Sequence, residues 1–311
     1  MAPEGPKRIT VALATSTGAW DVDDDGPLLL SALIADGIDA TPAVWDDPSV
    51  DWSTFDLVVL RSTWDYTDRH QEFLDWIDRI DPLTTVVNPA ATVRWNTDKR
   101  YLADLAERGV AVVATSFLLA DDAPGADEVR RVLVELLDTA ADERRELVVK
   151  PTVSAGSKDT ARYTEEQLDE AIEHALRVLA EGRDVMVQPY ISSVDERGET
   201  GMVLIGGTFS HAFRKGALLL DGPADVDGLF AVEQISATTP TDDELALADS
   251  VLSVATEILD GVVPRYARVD VLHDDDGAPV LLELELAEPS FFLWTSPTSA
   301  AAVARAIRGW A

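Results

Sequence analysis

The alternation of strand-like and helix-like segments in the first ninety residues constrains the fold of this 311-residue chain more than any other feature. Short β-branched or apolar runs predict strands at 9–15, 40–45, 55–60 and 84–87. Two apolar or amphipathic runs predict helices at 27–35 and 69–80. Strands that alternate with helices usually pair in parallel, so this part of the chain is predicted to form a small parallel α/β domain.

The segment after the third predicted strand, Arg61-Ser-Thr-Trp-Asp-Tyr, is a candidate binding site. Ligands of parallel sheets bind beyond the carboxyl ends of the strands. Arg61 offers a cation for a carboxylate, Asp65 offers a carboxylate for an ammonium group, and Tyr66 offers an aromatic face. These three residues are therefore candidates for binding a small zwitterionic substrate. The alternative is an ordinary loop that leads into a helix and carries an aromatic anchor.

Beyond residue 92 the strand and helix signals become mixed. Helices, two of which begin with capping boxes at Thr164 and Thr241, are predicted at 96–107, 126–138, 164–180, 241–259 and 299–308. Strands are predicted at 110–119, 147–151, 184–191, 202–205, 208–215, 266–273 and 279–286. We predict an N-terminal α/β domain at 1–92, followed by two α+β units at 93–190 and 191–311.

The composition excludes several classes of partner and chemistry. The chain has 57 acidic and 25 basic residues, and its net charge of −32 would repel the phosphate backbone of a nucleic acid. No apolar run reaches the roughly 20 residues of a membrane span, and the polar stretch 1–6 does not predict a signal peptide. The absence of cysteine excludes disulfides, thiolate metal sites and cysteine nucleophiles. We expect a cytoplasmic enzyme without nucleic-acid or membrane partners, and a homo-oligomer stays open.

A lysine at the end of an apolar strand begins the first chemical motif. Lys150 is followed by a loop of small residues in which Ser154, Ala155 and Gly156 precede Lys158. Small residues let backbone N–H groups approach phosphate oxygens, and an ammonium group supplies the countercharge. The loop therefore predicts a phosphate site, although it lacks the spacing of a Walker A motif. The alternative is a plain β-turn with an exposed lysine.

Acidic residues on a predicted hairpin at 266–286 form the second motif. Glu283 and Glu285 are two residues apart on an apolar strand and so share one face. If the turn between the strands has four residues, Arg268 and Asp270 lie on that face as well. Three converging carboxylates would repel one another without a cation, and hard oxygen ligands select Mg²⁺. The alternative is a solvent-facing acidic strand, and a turn one residue longer or shorter would break the shared face.

Two further strands carry weaker signals. Gln188-Pro-Tyr190-Ile191 ends a predicted strand with groups that can hydrogen-bond the edge of a planar base beside apolar side chains. Arg214 and Lys215 form a basic pair on another strand, which is unusual in so acidic a chain. Neither signal is specific by itself.

Together, and in this order, the motifs resemble those of the ATP-grasp superfamily. The resemblance spans most of the chain and is carried by Asp98-Lys99, Val149-Lys150-Pro151 with its small-residue loop, Gln188-Pro-Tyr-Ile, Arg214, Asp270 and Glu283-x-Glu285. It implies an ATP-grasp fold, in which a Rossmann-like N-terminal domain precedes two α+β subdomains that enclose the nucleotide.

The resemblance also implies roles for individual residues. It implies that ATP is bound by Lys99, Lys150, Ser154, Ala155, Gly156, Lys158, Gln188, Tyr190 and Ile191. It implies that one or two Mg²⁺ ions are bound by Asp270, Glu283 and Glu285, the last of which replaces the asparagine that is usual in the family. Arg214 would meet the transferring phosphate, and Arg268 is a further candidate for gripping a carboxylate or an acylphosphate.

Within the superfamily, one branch is most similar. Arg61-Ser-Thr-Trp-Asp-Tyr, Arg94-Trp-Asn-x-Asp-Lys and Glu283-x-Glu-x-x-Glu-Pro-Ser look most like the branch near the glutathione synthetases that includes the O-ureido-D-serine cyclo-ligases of cycloserine biosynthesis. The implied reaction activates the carboxylate of a small amino-acid-like substrate as an acylphosphate, which a nitrogen then attacks, with ring closure as the first expectation. Such chemistry needs positioning and charge neutralisation rather than a protein nucleophile. The alternatives are an intermolecular dipeptide or γ-glutamyl ligase and an inert ATP-binding regulatory module.

Overall fold

A computed structural model of the protein describes residues 8–139, 144–217 and 234–311, and the backbone of two short strands at 226–227 and 230–231. Its strands form three sheets of four or five strands and one two-stranded ribbon. The segment 1–6, for which no signal peptide is predicted, lies outside the described residues. In the described ranges, no helix combines the length and the apolar character that crossing a membrane requires.

The N-terminal part contains a four-stranded parallel sheet, as predicted. Its order is β2-β1-β3-β4, with β1 (Thr10–Thr15), β2 (Asp39–Val44), β3 (Leu57–Ser62) and β4 (Thr85–Val87). The connecting helices are α1 (Asp25–Ala35) and α2 (His70–Ile80). β3 is buried along its whole length, as is typical of a central strand in a sheet that is covered on both faces.

Residues 90–113 lead out of this sheet and differ from the sequence prediction. The helix predicted at 96–107 begins only at Tyr101, as α4 (Tyr101–Glu107). A helix that was not predicted, α3 (Ala90–Asn96), precedes it, and Lys99 lies in the link between the two. The apolar face of α4 packs into the core beside the five-stranded sheet, which later parts of the chain form. Val112, predicted to lie in a strand at 110–119, forms a bridge with Leu281. Because these partners are far along the chain, the local pattern could not show them.

The second sheet is antiparallel, in the order β5-β8-β6-β7. Its strands are β5 (Ser116–Leu118), β6 (Glu146–Pro151), β7 (Ala161–Thr164) and β8 (Val185–Pro189). Helices α5 (Ala126–Thr139) and α6 (Leu168–Ala180) bury their apolar faces against it. The predicted capping box at Thr164 is present, but it begins a short 3₁₀ turn that leads into α6.

The third sheet has five antiparallel strands in the order β13-β10-β9-β14-β15. Its strands are β9 (Glu199–Ile205), β10 (Thr208–Lys215), β13 (Ile235–Thr238), β14 (Tyr266–His273) and β15 (Pro279–Glu285). The two-stranded ribbon consists of β11 (Val226–Asp227) and β12 (Phe230–Ala231).

The helices of this part are α7 (Ser193–Arg197), α8 (Asp242–Ile258) and α9 (Ser299–Trp310). α8 begins at the predicted capping box of Thr241 and packs on the third sheet. α9 returns to the N-terminal domain, where its Val303 and Ile307 share a core with Leu29 and Leu33 of α1. The domain boundaries at 92 and 190 stay a prediction.

In the β14–β15 hairpin, the acids and Arg268 share one face, as predicted, but the two strands pair in a different register from the predicted one. Its turn is one residue longer than predicted, which alone would separate the acids of the two strands. A β-bulge at Leu282 restores the shared face, so that Asp270 pairs with Glu283, and Arg268 pairs with Glu285.

Tyr266, at the start of β14, joins the parallel sheet to the third sheet. Its buried hydroxyl lies 2.7 Å from the carbonyl oxygen of Val87 and 2.6 Å from that of Ala287. Asn88 donates hydrogen bonds beside it to the carbonyl oxygens of Tyr266 and Leu286, at 2.9 and 2.7 Å. These bonds hold the N-terminal domain against the end of β15, the strand that carries the paired acids.

We expect Tyr266→Phe to destabilise the protein by about 1–3 kcal/mol, because it removes the donor of a buried hydrogen bond to a carbonyl oxygen. Tyr163→Phe is the matched control, since it removes a hydroxyl that is only partly buried and contacts the ring of His174. Urea-unfolding midpoints of the two variants check the prediction. Equal shifts would contradict the role of Tyr266 as the junction.

Candidate active site

A cleft of about 780 Å³ is lined by residues of the second and third sheets and of the segments that follow their strands, and by residues that follow β1 and β3 of the parallel sheet. Most of the predicted site residues line it: Tyr66, Lys99, Lys150, Ser154, Ala155, Gly156, Gln188, Tyr190, Ile191, Arg268, Glu283 and Glu285. The remaining five are placed elsewhere: Arg61, Asp65, Lys158, Arg214 and Asp270.

The two lysines predicted to bind phosphate face the same part of the cleft. Lys99 Nζ lies 2.9 Å from Glu283 Oε1 and 2.7 Å from the carbonyl oxygen of Ser154, so it holds the small-residue loop beside β15. Burial lowers the pKa of Lys150 on β6, and the nearby Glu283 carboxylate opposes this only in part. An ammonium group that has lost water in this way is stabilised when an anionic ligand enters.

Arg268 and Lys215 neutralise the acids of the third sheet. The Arg268 guanidinium bonds to Asp270 through two nitrogens, at 2.9 and 2.7 Å, and also contacts Glu285. Lys215 Nζ lies 3.0 Å from Asp270 and 2.9 Å from Glu199. The repulsion expected among the three acids of the hairpin is therefore relieved by cations of the chain itself.

Burial and charge pairing give these acids unequal pKa values. Burial raises the pKa of Glu285 to about 8, since Arg268 offsets it only in part and the neighbouring acids add to it. Burial also acts on Asp270, but Arg268 and Lys215 outweigh it and lower its pKa to about 2. At Glu283 the two lysines described above outweigh burial, and its pKa is lowered.

The donor set fits a Mg²⁺ ion that is shared with phosphates. The side chains of Glu283 and Glu285 line the cleft and are 21% and 25% exposed, whereas that of Asp270 is 1% exposed and lies behind Arg268. Among the described residues, no three acids or histidines are grouped so that they could hold a metal ion alone. Because Mg²⁺ usually binds one or two carboxylates together with substrate phosphates, Glu283 and Glu285 are the residues that could hold it.

Lys215, rather than Arg214, enters the cleft from β10. Side chains alternate along a strand, so only one of the two neighbours can face the cleft. The Arg214 guanidinium instead donates to the carbonyl oxygen of Arg197 at 2.6 Å. The sequence carried the signal for a basic pair, but which member faces inward depends on how the sheet packs.

The polar residues at the end of β3 and directly after it contribute less to the cleft than predicted. Arg61 is fully buried, where it donates to the carbonyl oxygen of Pro289 at 2.9 Å and lies 4.3 Å from the ring centroid of Phe291. Asp65 accepts a hydrogen bond from a buried tryptophan at 2.8 Å. Of the three residues predicted to bind a substrate here, only Tyr66 lines the cleft. Arg61 and Asp65 instead form contacts that stabilise the fold.

The small-residue loop is divided between two roles. Ser154, Ala155 and Gly156 line the cleft, as predicted for a loop that approaches phosphates. Lys158, at its tip, instead forms an exposed ion pair with Asp68 at 2.7 Å. Asp68 follows β3, so this pair links the loop to the N-terminal domain.

The end of β8 and the residues after it line another wall of the cleft. Gln188 Nε2 donates to Thr115 Oγ1 at 3.0 Å, and Tyr190 and Ile191 follow along the wall. The Arg162 guanidinium lies 3.7 Å from the ring centroid of Tyr190 and fixes its orientation. These are the surroundings predicted for a planar base.

Comparison with known proteins decides the family. Residues 11–88 match the family model of the N-terminal domain of D-cycloserine synthetase DcsG. The chain is 40% identical over 299 residues to the cycloserine biosynthesis protein DcsG of Streptomyces lavendulae, with 96% of this chain and 97% of that protein covered. The chain belongs to the DcsG family of ATP-grasp ligases.

Solved structures agree with this assignment. A crystal structure of D-cycloserine synthetase DcsG matches with a TM-score of 0.88 and 39% identity, over 97% of this chain and 99% of that one. The D-alanine–D-alanine ligase of Bacillus anthracis shares the fold, with a TM-score of 0.63, 16% identity, and coverage of 97% and 95%. The predicted ATP-grasp fold is confirmed. As a DcsG-family member, the chain is an ATP-dependent ligase that forms carbon–nitrogen bonds, so the inert regulatory module is set aside.

We expect Glu285→Gln and Glu283→Gln to shift thermal stability in opposite directions. Glu285 binds its proton more tightly when folded, so its ionisation removes stability as the pH rises from 4.5 toward about 8. Glutamine cannot ionise, and Glu285→Gln should therefore raise the Tm at pH 8 without ATP and Mg²⁺. Glu283→Gln should lower it, because Lys99 loses its partner.

Thermal unfolding of both variants at two pH values checks this prediction. The gain from Glu285→Gln should shrink at pH 5, where the folded wild-type side chain is protonated. Loss of stability in both variants at pH 8 would contradict the assigned charges.

Lys150→Ala should weaken ATP binding by about tenfold or more, since a hydrogen bond to a charged group contributes about 1.5–3 kcal/mol. Lys158→Ala is the comparison, because this exposed lysine on the same loop contacts Asp68 and should change the affinity less. Isothermal titration calorimetry measures both dissociation constants. A larger loss in Lys158→Ala would move the phosphate contact to the loop tip.

Proposed function

We propose that this DcsG-family ligase activates the carboxylate of a small amino-acid-like substrate as an acylphosphate and then closes a ring. In the second step, a nitrogen of the same molecule displaces the phosphate, so the other products are ADP and phosphate. The observation that carries the proposal is the convergence of Lys99 and Lys150 with Glu283 and Glu285 in one cleft. The 40% identity to a cycloserine biosynthesis protein supports the same type of reaction.

The phosphate end of the cleft would neutralise and position ATP. Lys99 and Lys150 would bind phosphate oxygens, and the backbone N–H groups of the small-residue loop would approach them. Glu283 and Glu285 would hold Mg²⁺, which neutralises phosphate charge when bound. Phosphoryl transfer depends on positioning and charge neutralisation, so the lack of a protein nucleophile is no obstacle.

Arg268 is best placed to bind the reacting carboxylate. Its guanidinium faces the cleft while Asp270 and Glu285 fix its orientation. Lys215, also held by Asp270, would replace Arg214 as the cation near the transferring phosphate. A guanidinium preorganised by two acids can bind a carboxylate or an acylphosphate through parallel hydrogen bonds.

The end of the cleft beside the N-terminal domain suits the rest of an amino acid. It is lined by aromatic and acidic side chains, among them Trp64, Tyr66, Asp25 and Glu288. Such groups suit an ammonium group and a short carbon skeleton. Arg61 is fully buried and cannot reach a substrate at this end. We therefore place the substrate carboxylate at Arg268, toward the phosphates. That orientation is the one that carboxyl activation requires.

We expect O-ureido-D-serine, the substrate of the branch that the sequence resembles, to stimulate ADP release and to yield a cyclised product of one substrate molecule. D-alanine serves as the control substrate, because it lacks a second nitrogen that could close a ring. Coupled ADP measurement and mass spectrometry check both. A product that joins two amino acids would contradict ring closure and favour the intermolecular ligase.

Oxygen-18 in the substrate carboxylate tests the activation step separately. We expect the label in the released phosphate, because the carboxylate oxygen that attacks the γ-phosphorus leaves with it. Release of unlabelled phosphate would refute carboxyl activation.

A further inference from the structure

Residues 287–293, the segment that follows β15, are held in place by the N-terminal domain. Arg61 donates to the carbonyl oxygen of Pro289 at 2.9 Å. The carboxylate of Asp25 accepts hydrogen bonds from three successive backbone N–H groups, those of residues 291–293, at 2.6–2.8 Å. Both side chains are buried, and a segment fixed by buried bonds presents its own side chains in one position.

The acidic side chain that this segment presents to the cleft is Glu288. It is 7% exposed, and the side chain of Tyr66 lies beside it. In the described part of the chain, no lysine or arginine forms an ion pair with it, in contrast to Glu283 and Glu285. Glu288 is therefore a carboxyl group of the cleft that has no ion-pair partner among the described residues.

We propose that Glu288 is the general base of the second step, which accepts the proton of the nitrogen that attacks the acylphosphate. This inference rests on the proposed function. The nitrogen attacks the acyl carbon and a C–N bond forms, while the C–O bond to phosphate breaks and phosphate leaves with the electron pair. The N–H proton passes to the Glu288 carboxylate and from there to phosphate or water.

Asp25 and the two acids of β15 are less suited to this task. Both oxygens of Asp25 accept backbone hydrogen bonds, and Glu283 and Glu285 lie with the cations of the phosphate end. Burial raises the pKa of Glu288 to about 7, with Tyr66 lowering it in part. A base with a pKa near the working pH is the most efficient.

The test separates the two steps with hydroxylamine, a neutral nucleophile that intercepts an acylphosphate as a hydroxamate without needing a base. With O-ureido-D-serine, Mg²⁺ and ATP, we expect Glu288→Gln to form hydroxamate at nearly the wild-type rate. Its rate of cyclisation should fall by about 100-fold or more, the usual contribution of a general base. Glu257→Gln, the same change on the exposed side of α8, is the control and should leave both rates unchanged.

Tyr66→Phe gives a second readout that a structural role would not move. The charged and titratable groups that act on Glu288 are Tyr66 after β3, Lys99 between α3 and α4, and Glu283 on β15. Removing the hydroxyl raises the pKa of Glu288, so the acidic limb of the pH–rate profile for cyclisation should shift to higher pH. The pH profile of hydroxamate formation should not shift.

Three outcomes would count against the inference, and they are distinguishable. Wild-type cyclisation by Glu288→Gln would overturn the role of this residue alone. Loss of hydroxamate and cyclised product together would assign Glu288 to binding or to the first step, which also overturns it. If the wild-type enzyme forms no hydroxamate, the proposed acylphosphate is wrong, and this inference falls with it.

Discussion

Charge pairing among buried groups is the constraint on which the rest of the structure depends. The acids Asp270, Glu283 and Glu285 lie on one face of a hairpin, and they are stable there because Arg268 and two lysines contact them. Removing a cation from such a network leaves a buried acid without a partner, which typically costs about 3–5 kcal/mol. The protein thus holds its cations in place before any ligand arrives, and in the proposed mechanism ATP phosphates replace the acids as partners of these cations.

The N-terminal domain supports the cleft mainly by fixing another part of the chain. Arg61 and Asp25 belong to this domain, yet their buried side chains bond to the segment after β15. Tyr266, on the third sheet, in turn forms a hydrogen bond to the end of β4 in the N-terminal domain. The parallel sheet and the acidic hairpin are therefore locked together, and Tyr66 and Glu288 meet where they join.

The predictions from sequence held where the signal was local. The parallel sheet, the two capping boxes and most cleft residues follow from alternation, cap chemistry and motif order. They failed where a partner came from far along the chain. The helix predicted at 96–107 begins only at Tyr101, after Lys99, whose side chain contacts β15 and whose backbone N–H bonds to the carbonyl oxygen of Thr152.

The hairpin acids also show where prediction from sequence stops, and here the limit is set by the single residue Leu282. The sequence placed Glu283 and Glu285 on one face, because side chains alternate along any strand. The face they share with Asp270 depends on a β-bulge at Leu282, which compensates for a turn one residue longer than predicted. By itself the sequence determined which residue types were available and in what order: lysines before the acids, small residues after Lys150, and a basic pair on β10. Only the tertiary structure decided that Lys215 rather than Arg214 faces the cleft and that Arg61 is buried, because the direction of a side chain is set by what packs against each face of its strand.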